Sequence, residues 1–334
     1  MENKIDFVIA WVDGNDPEWR KERDCYRHPD AHTDSRDIRY RDWDNLVFFF
    51  RSVERFAPWV NMIHFVTYGH LPKWLNTEHP KINIVKHADF IPAEYLPVFN
   101  ANPIEMNLHR ISGLTEQFVY FNDDMLLLKP CKQQDFFVDG LPCDIGVMNA
   151  HISDREMGNH IEVADMDIIN AHFHKKDVLK KSIKKWFNLK YKRELIRNFC
   201  LLPWNEFPGL LHQHIPTSFL KSTFETVWNL EEDALKETCR HRFRNSLDLN
   251  QWLFEDWQRC SGQFVPRDAN AGRSFAFTQD QAKNEQLFRM IKEQKYKLIC
   301  LNDMVLDDSF EAVKAKLVET LETVFPEKSS FEKE

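Results

Sequence analysis

Acidic residues recur at the ends of apolar runs in this chain. Asp13 and Asp16 follow Ile5–Val12, and Asn122-Asp123-Asp124 follows Phe118–Phe121. Asn302-Asp303 repeats the arrangement after a late apolar stretch. In open α/β sheets, ligands bind beyond the carboxyl ends of the strands. Carboxylates there suit hard, oxygen-seeking cations such as Mg²⁺ or Mn²⁺. Such a metal bridges substrate phosphates and neutralises charge on a leaving group. Asp123, Asp124 and Asp303 are therefore the expected metal ligands. The plainer alternative is a set of polar turns, with Asp16 capping a helix whose first residue is Pro17 and Gly14 allowing a tight backbone.

Other groups are less specific. Asn102-Pro103 reads as a helix cap and first helical residue. Glu105 and His109, four apart on that helix, would then share a face beside Arg110. Glu105 would orient His109 as a general base while Arg110 meets a phosphoryl oxygen; an ordinary surface ion pair explains the spacing equally well. His212 and His214 lie two apart without a third ligand at suitable spacing, so His214 is favoured as a phosphate or acid–base residue. Arg240, Arg242 and Arg244 alternate, as in an anion clamp or simply a charged helix. There is no GxGxxG, GxxxxGK[ST], GxSxG or HExxH, which argues against dinucleotide, P-loop, hydrolase-elbow and zincin chemistry.

The elements that must position these groups alternate in residues 1–150. Strands are expected at Ile5–Val12, Met62–Tyr68, Ile82–Lys86, Gln117–Asn122 and Ile145–Met148, with helices at Asn45–Phe56 and Ile104–Ile111. That pattern predicts an α/β fold with a layered, mostly parallel, Rossmann-like sheet. Residues 151–265 read as a mainly helical insertion or lid. Residues 266–334 return to the core through a strand at Lys297–Leu301. They end in an amphipathic helix carrying Phe310, Val313, Leu317, Leu321 and Val324, with Asp307-Asp308-Ser309 as its caps.

The 334 residues include 27 Phe and 10 Trp, enough for a large core, and only 9 Gly. The seven cysteines show no CxxC pair, so neither a disulfide framework nor a structural zinc site is indicated. No 18-residue apolar stretch exists, and the N-terminus has no signal-like apolar region, which makes a cytoplasmic location the default. A net charge of −8 disfavours nucleic acid as a partner. One segment departs from that balance: Lys175–Arg197 holds ten Lys or Arg against Asp177 and Glu194. With its interleaved apolar residues it suits peripheral contact with the inner face of a cell membrane, a polyanionic acceptor, or a solvated helical face.

These segments together resemble the Stealth family of hexose-1-phosphate transferases. The resemblance rests on Trp11–Pro17 (W-V-D-G-x-D-P), and on Arg39–Asp124 with Arg41-Asp42, Arg51-Ser52-Val53-Glu54, Phe99-Asn100, Leu108-His109-Arg110 and Asn122-Asp123-Asp124. It continues through His212–Pro216, the Arg240–Arg244 neighbourhood, and Cys300-Leu301-Asn302-Asp303 to Phe331-Glu332. The resemblance implies transfer of a sugar-1-phosphate, commonly N-acetylhexosamine-1-phosphate, from a UDP-sugar to a hydroxyl of an oligosaccharide or polysaccharide acceptor. UMP leaves, in bacterial capsule or surface-polysaccharide synthesis. Asp13, His109, Arg110, His214 and Asp303 would be catalytic, with His109 and His214 as alternative bases. Arg41, Arg51 and Arg110 would meet phosphoryl charge. Trp11, Gly14, Asp16, Asn100, Glu105, Asn122, Arg242 and Asn302 would complete the substrate site. The rival readings are a metal-dependent glycosyltransferase releasing UDP and a non-catalytic polysaccharide binder.

Overall fold

The computed structural model describes residues 4–27, 33–152 and 158–333. The main sheet is assembled from β1 (Ile5–Trp11), β2 (Ile63–Thr67), β3 (Ile82–Lys86), β4 (Gln117–Asn122) and a later strand, Thr217–Leu220. Its order is β3-β2-β1-β4 and then Thr217–Leu220. All neighbours are parallel except the last pair. A strand covered on both faces must be apolar at consecutive positions, and β1 is: Phe7, Ile9 and Trp11 enter one core while Val8 enters the other. After β1 comes helix α1 (Pro17–Tyr26); the first core is closed by α2 (Leu46–Phe56) and a C-terminal helix (Asp307–Val324). The second is closed by helices Lys221–Leu230 and Trp252–Ser261.

After Asn122 the chain turns through Asp123 and Asp124 into β5 (Met125–Leu127), which belongs to a second sheet. There β5 lies antiparallel to Leu298–Asp303, which in turn runs parallel to Gly272–Phe277. The acidic pair therefore sits where the polypeptide crosses between two sheets. With Thr217–Leu220 as β6, Gly272–Phe277 is β7 and Leu298–Asp303 is β8.

Several expectations need correction. Ile145–Met148 is not a strand; Leu141–Asp144 is. Ile145 and Val147 bury beside Tyr191, and the Asn198 side chain replaces a ladder, accepting from Met148 N–H at 2.6 Å and donating to Gly146 C=O at 2.8 Å. The late strand pairs outside the main sheet. The mainly helical stretch 151–265 supplies β6 to that sheet. Leu306 occupies the cap position of the C-terminal helix, so Asp307 and Asp308 act through the first-turn dipole rather than as caps. Among the described residues no helix is long and apolar enough to cross a membrane.

Candidate active site

Register brings two strand ends together, with Ala10 of β1 paired to Asn122 of β4. Beyond them lie Asp13, Asp123 and Asp124. Asp13 is fixed by its turn: its N–H donates to His70 Nε2 at 2.7 Å, and its Oδ1 accepts from Asn15 N–H at 2.8 Å. Asp123 is held through its carbonyl, which accepts from Asn45 Nδ2 at 2.8 Å. Burial first, then the neighbouring charges of Asp124 and Asp42, push the Asp123 carboxyl up to about 8. Asp42 is likewise raised, by burial and then by Asp44 and Asp13. Like charges gathered in poor solvent disfavour ionisation, and Asp123 and Asp42 are the two that the neighbouring aspartates raise. Asp42 is the member that sequence reasoning missed, although it stood next to Arg41 in the recognised block.

Asp124 reaches toward the second sheet. Its Oδ2 accepts from Cys300 Sγ at 3.2 Å, while its buried Oδ1 has no hydrogen-bond partner. A buried carboxylate oxygen without a protein partner is open to a water or an ion. His214 lies on the same side, with Nδ1 3.7 Å from Cys300 Sγ. Its φ of 47° is left-handed, costing roughly 1 kcal/mol for a residue with a side chain. His212 is different in kind. It bonds Asp256 at 2.9 Å and, despite burial, Asp256 and Glu162 carry it up to about 10. It is a structural imidazolium in the network around buried Arg259, Asp144 and Glu255.

Other residues singled out from the sequence are committed elsewhere. Asp303 accepts from Arg41 Nη2 (3.1 Å) and Val305 N–H (3.0 Å) on Oδ1; Oδ2 faces Arg41 Nε (3.0 Å) and Trp43 Nε1 (3.2 Å). It is thus a strut for the Arg41–Trp43 loop rather than an open ligand. Arg51 grips Glu332 with two bonds, 2.8 and 2.7 Å, and Phe325 C=O with a third, so its donors are spent on the C-terminus. The helix expected at Ile104–Ile111 covers only Ala101–Met106, capped by Asn100 instead of Asn102. A separate 3-10 turn carries Leu108–Arg110, and that break destroys the four-residue alignment. Glu105, pushed up to about 7 by burial, accepts from Tyr120 and Gln251. His109 packs against Phe224 and Trp228, and burial, Arg110 and Lys221 hold it down to about 3. Arg110 is exposed over Trp228.

Asp16 caps the helix Pro17–Tyr26 by accepting from Trp19 N–H. Gly14 is required because a Cβ would meet Tyr40 O at 1.9 Å. Trp11 is core, stacked on Phe65. Asn100 donates to buried Asp248 at 2.7 Å, and Arg242 lies over Tyr26. Asn302 donates to Ser274 and Phe275, with Oδ1 3.8 Å from Cys300 Sγ; Asn122 ends β4 beside the cluster.

The family match now decides what this arrangement belongs to. Sequence models described as Stealth protein conserved regions 1, 2 and 4 match residues 3–28, 39–143 and 289–334. The chain belongs to the Stealth family. Relatives of the chain include the capsular polysaccharide phosphotransferase WcwK of Streptococcus pneumoniae, 42% identical over 99% of this chain and 98% of its own. The receptor polysaccharide phosphotransferase WefC of Streptococcus gordonii is 39% identical over 99% and 100%. The exopolysaccharide phosphotransferase cps2G of Lactiplantibacillus plantarum is 38% identical over 98% and 96%. Likeness to solved structures is slight: the WbbM bifunctional glycosyltransferase superposes with a TM-score of 0.34 at 10% identity, over 90% of this chain and 46% of that one. Matched regions 1 and 2 supply Asp13, Asp42, Asp123 and Asp124, and region 4 supplies Cys300 and the Asp303 strut.

Proposed function

We propose that this chain transfers a sugar-1-phosphate, N-acetylhexosamine-1-phosphate, from a UDP-sugar to an acceptor saccharide hydroxyl during capsular or surface-polysaccharide synthesis. The family and the names of its full-length relatives support phosphotransfer in polysaccharide assembly. The observation that carries the reading is the aspartate cluster at the ends of β1 and β4. One carboxyl there is held near neutrality and one buried oxygen is unpartnered. Among the described residues no three His, Cys, Asp or Glu side chains form a ready-made metal cage. Mg²⁺ is commonly held by one or two carboxylates together with substrate phosphates. Asp123 and Asp124 would hold it, with Asp13 and Asp42 beside them. When bound, it would supply positive charge to the diphosphate, which Arg41 and Arg51, held by Asp303 and Glu332, are not free to do.

The chain's own residues then position and deprotonate. His214 takes the acceptor hydroxyl's proton on Nε2, because its Nδ1 faces Cys300. The acceptor oxygen bonds to the sugar-bearing phosphorus, the bond from that phosphorus to the bridging oxygen breaks, and UMP leaves with the electron pair. Little covalent work falls to the protein beyond orientation and charge stabilisation.

The test is to incubate the protein with UDP-sugars and acceptor and weigh the released nucleotide by mass spectrometry. UMP is expected; UDP would mean glycosyl transfer, and no nucleotide would mean a binder. In the same assay His214→Ala should lower kcat by about a hundredfold or more, the usual range for a lost general base. His109→Gln should leave kcat within a few-fold. The opposite ranking would move the base to His109.

A further inference from the structure

The segment Lys175–Trp204 is a surface lobe whose ends meet: Lys175 Nζ donates to Leu201 C=O at 2.8 Å. Trp186, Tyr191 and Asn198, all fully buried, anchor it to the body. Asn198 adds a bond to Trp186 C=O at 2.6 Å. The apolar side chains around these inward positions point out. Leu189 is 86% exposed and Ile196 63%, and Ile183, Phe199, Leu202 and Trp204 are exposed as well. Six of the fourteen large apolar side chains exposed among the described residues thus fall between Ile183 and Trp204. Ile196 and Phe199, three apart on the short helix Leu195–Cys200, share one face.

Basic residues frame this apolar set. Lys176, Lys180, Lys181 and Lys184 are exposed and make no ion pair among the described residues. Lys192 and Arg193 are exposed with carboxylate partners. On a chain of net charge −8, the lobe is a local reversal of sign. Apolar side chains held out among lysines match the two halves of a bilayer surface, acyl boundary and anionic headgroup. A soluble polyanion would satisfy only the lysines and leave Leu189, Ile196, Phe199 and Trp204 in water.

The lobe also adjoins the active-site side of the molecule. Lys190 C=O accepts from Ala269 N–H at 3.0 Å, and Ala269 C=O accepts from Gln213 Nε2 at 2.7 Å, next to His214. The geometry points to the Lys175–Trp204 lobe as a docking surface for an anionic lipid bilayer, with Leu189, Ile196, Phe199 and Trp204 entering the headgroup boundary. The docking is a binding event separate from the transfer reaction.

Vesicle co-sedimentation tests it with the full chain, using phosphatidylcholine alone and phosphatidylcholine mixed with phosphatidylglycerol. Wild type should partition onto the mixed vesicles, release with salt, and ignore the neutral ones. Ile196→Glu/Phe199→Glu and, separately, Lys180→Glu/Lys181→Glu should each weaken partitioning by about tenfold or more. Near-UV circular dichroism should stay unchanged, as should turnover with a water-soluble acceptor. Wild type that fails to partition, or variants that partition like wild type, would overturn the proposal. So would capture of a soluble anionic polysaccharide by this lobe in the absence of vesicle binding. If the Glu variants misfold, Leu189→Ser/Ile196→Ser gives the same readout with smaller perturbation.

Discussion

At the scale of single residues, Asp123 carries the strongest consequence. Its folded carboxyl titrates near 8 against an ordinary value of 3.8, chiefly through burial and then through Asp124 and Asp42. The folded protein therefore keeps a proton that the unfolded chain has already released across that window. With more protons bound in the folded state, stability without a cation falls as pH rises from about 4 to about 8. A divalent cation competes with the same proton, so its apparent affinity should fall as pH drops below 8. Asp123→Asn should abolish the pH-linked loss, stabilising the cation-free protein at pH 8 by up to about 5 kcal/mol relative to wild type, while turnover drops about a hundredfold or more. Thermal melts at pH 5 and pH 8 check this, and equal wild-type and variant pH slopes would refute it. Asp13, Asp123 and Asp124 could be read from the sequence because they stand just beyond apolar runs. Asp42 could not, because no strand leads into it and only folding places it beside the others. For Arg41 and Arg51 the converse holds: charge is visible in a sequence, but the partner that occupies it, such as Glu332 for Arg51, lies 281 residues away.

At the scale of elements, the question is what keeps the loop carrying Asp42 against the β1 and β4 ends. Arg41 answers it: its guanidinium is shared by Asp303, Asp307 and Val305 C=O and lies over Phe310. The loop is pinned to β8 and the C-terminal helix at once. Asp303 acts here as a positioning residue, and its substitution should separate that role from metal binding. Asp303→Asn should destabilise the protein by roughly 2–3 kcal/mol, somewhat below the value for breaking a fully buried pair. It should lower kcat while leaving the activating cation concentration within a few-fold of wild type. Asp124→Asn, by contrast, should raise that concentration steeply. Cation titrations of activity for both variants decide the matter; a steep rise for Asp303→Asn as well would make Asp303 a ligand. The strands that carry the site were legible: β1 and β4 are long apolar runs, and β3 and β4 begin and end where the pattern places them. β6 was hidden because four residues, Thr217–Leu220, carry no periodicity of their own, and β7 because Gly272, Arg273 and Ser274 interrupt the apolar signal.

At the scale of the whole molecule, the first and last parts of the chain are one structural unit. Residues 325–333 fold back along α2 and the loop before β3. Asn76 N–H donates to Phe331 C=O, and Lys333 N–H donates to Trp74 C=O. Phe331 packs on Phe50 and His79, and Glu332 holds Arg51 with two bonds while accepting from Ser329 N–H. This seam buttresses α2, whose other face supports β1 and hence Asp13, so a change at the C-terminus should reach the site through stability rather than chemistry. The Glu332 carboxyl is depressed below its ordinary 4.5: burial opposes the shift, but the Arg51 and Ser329 hydrogen bonds outweigh it. A depressed acid contributes stability that is fully present above the unfolded value and is lost as pH falls through the folded one. Glu332→Gln should therefore cost about 1–3 kcal/mol at pH 7, the range for charge-assisted hydrogen bonds, and progressively less below about pH 4. Urea unfolding at pH 7 and at pH 3.5 measures that gap, and kcat of the folded variant at pH 7 should match wild type. A gap that stays constant with pH would mean the seam is held by Phe331 packing and the backbone bonds, with the Arg51–Glu332 pair contributing nothing net.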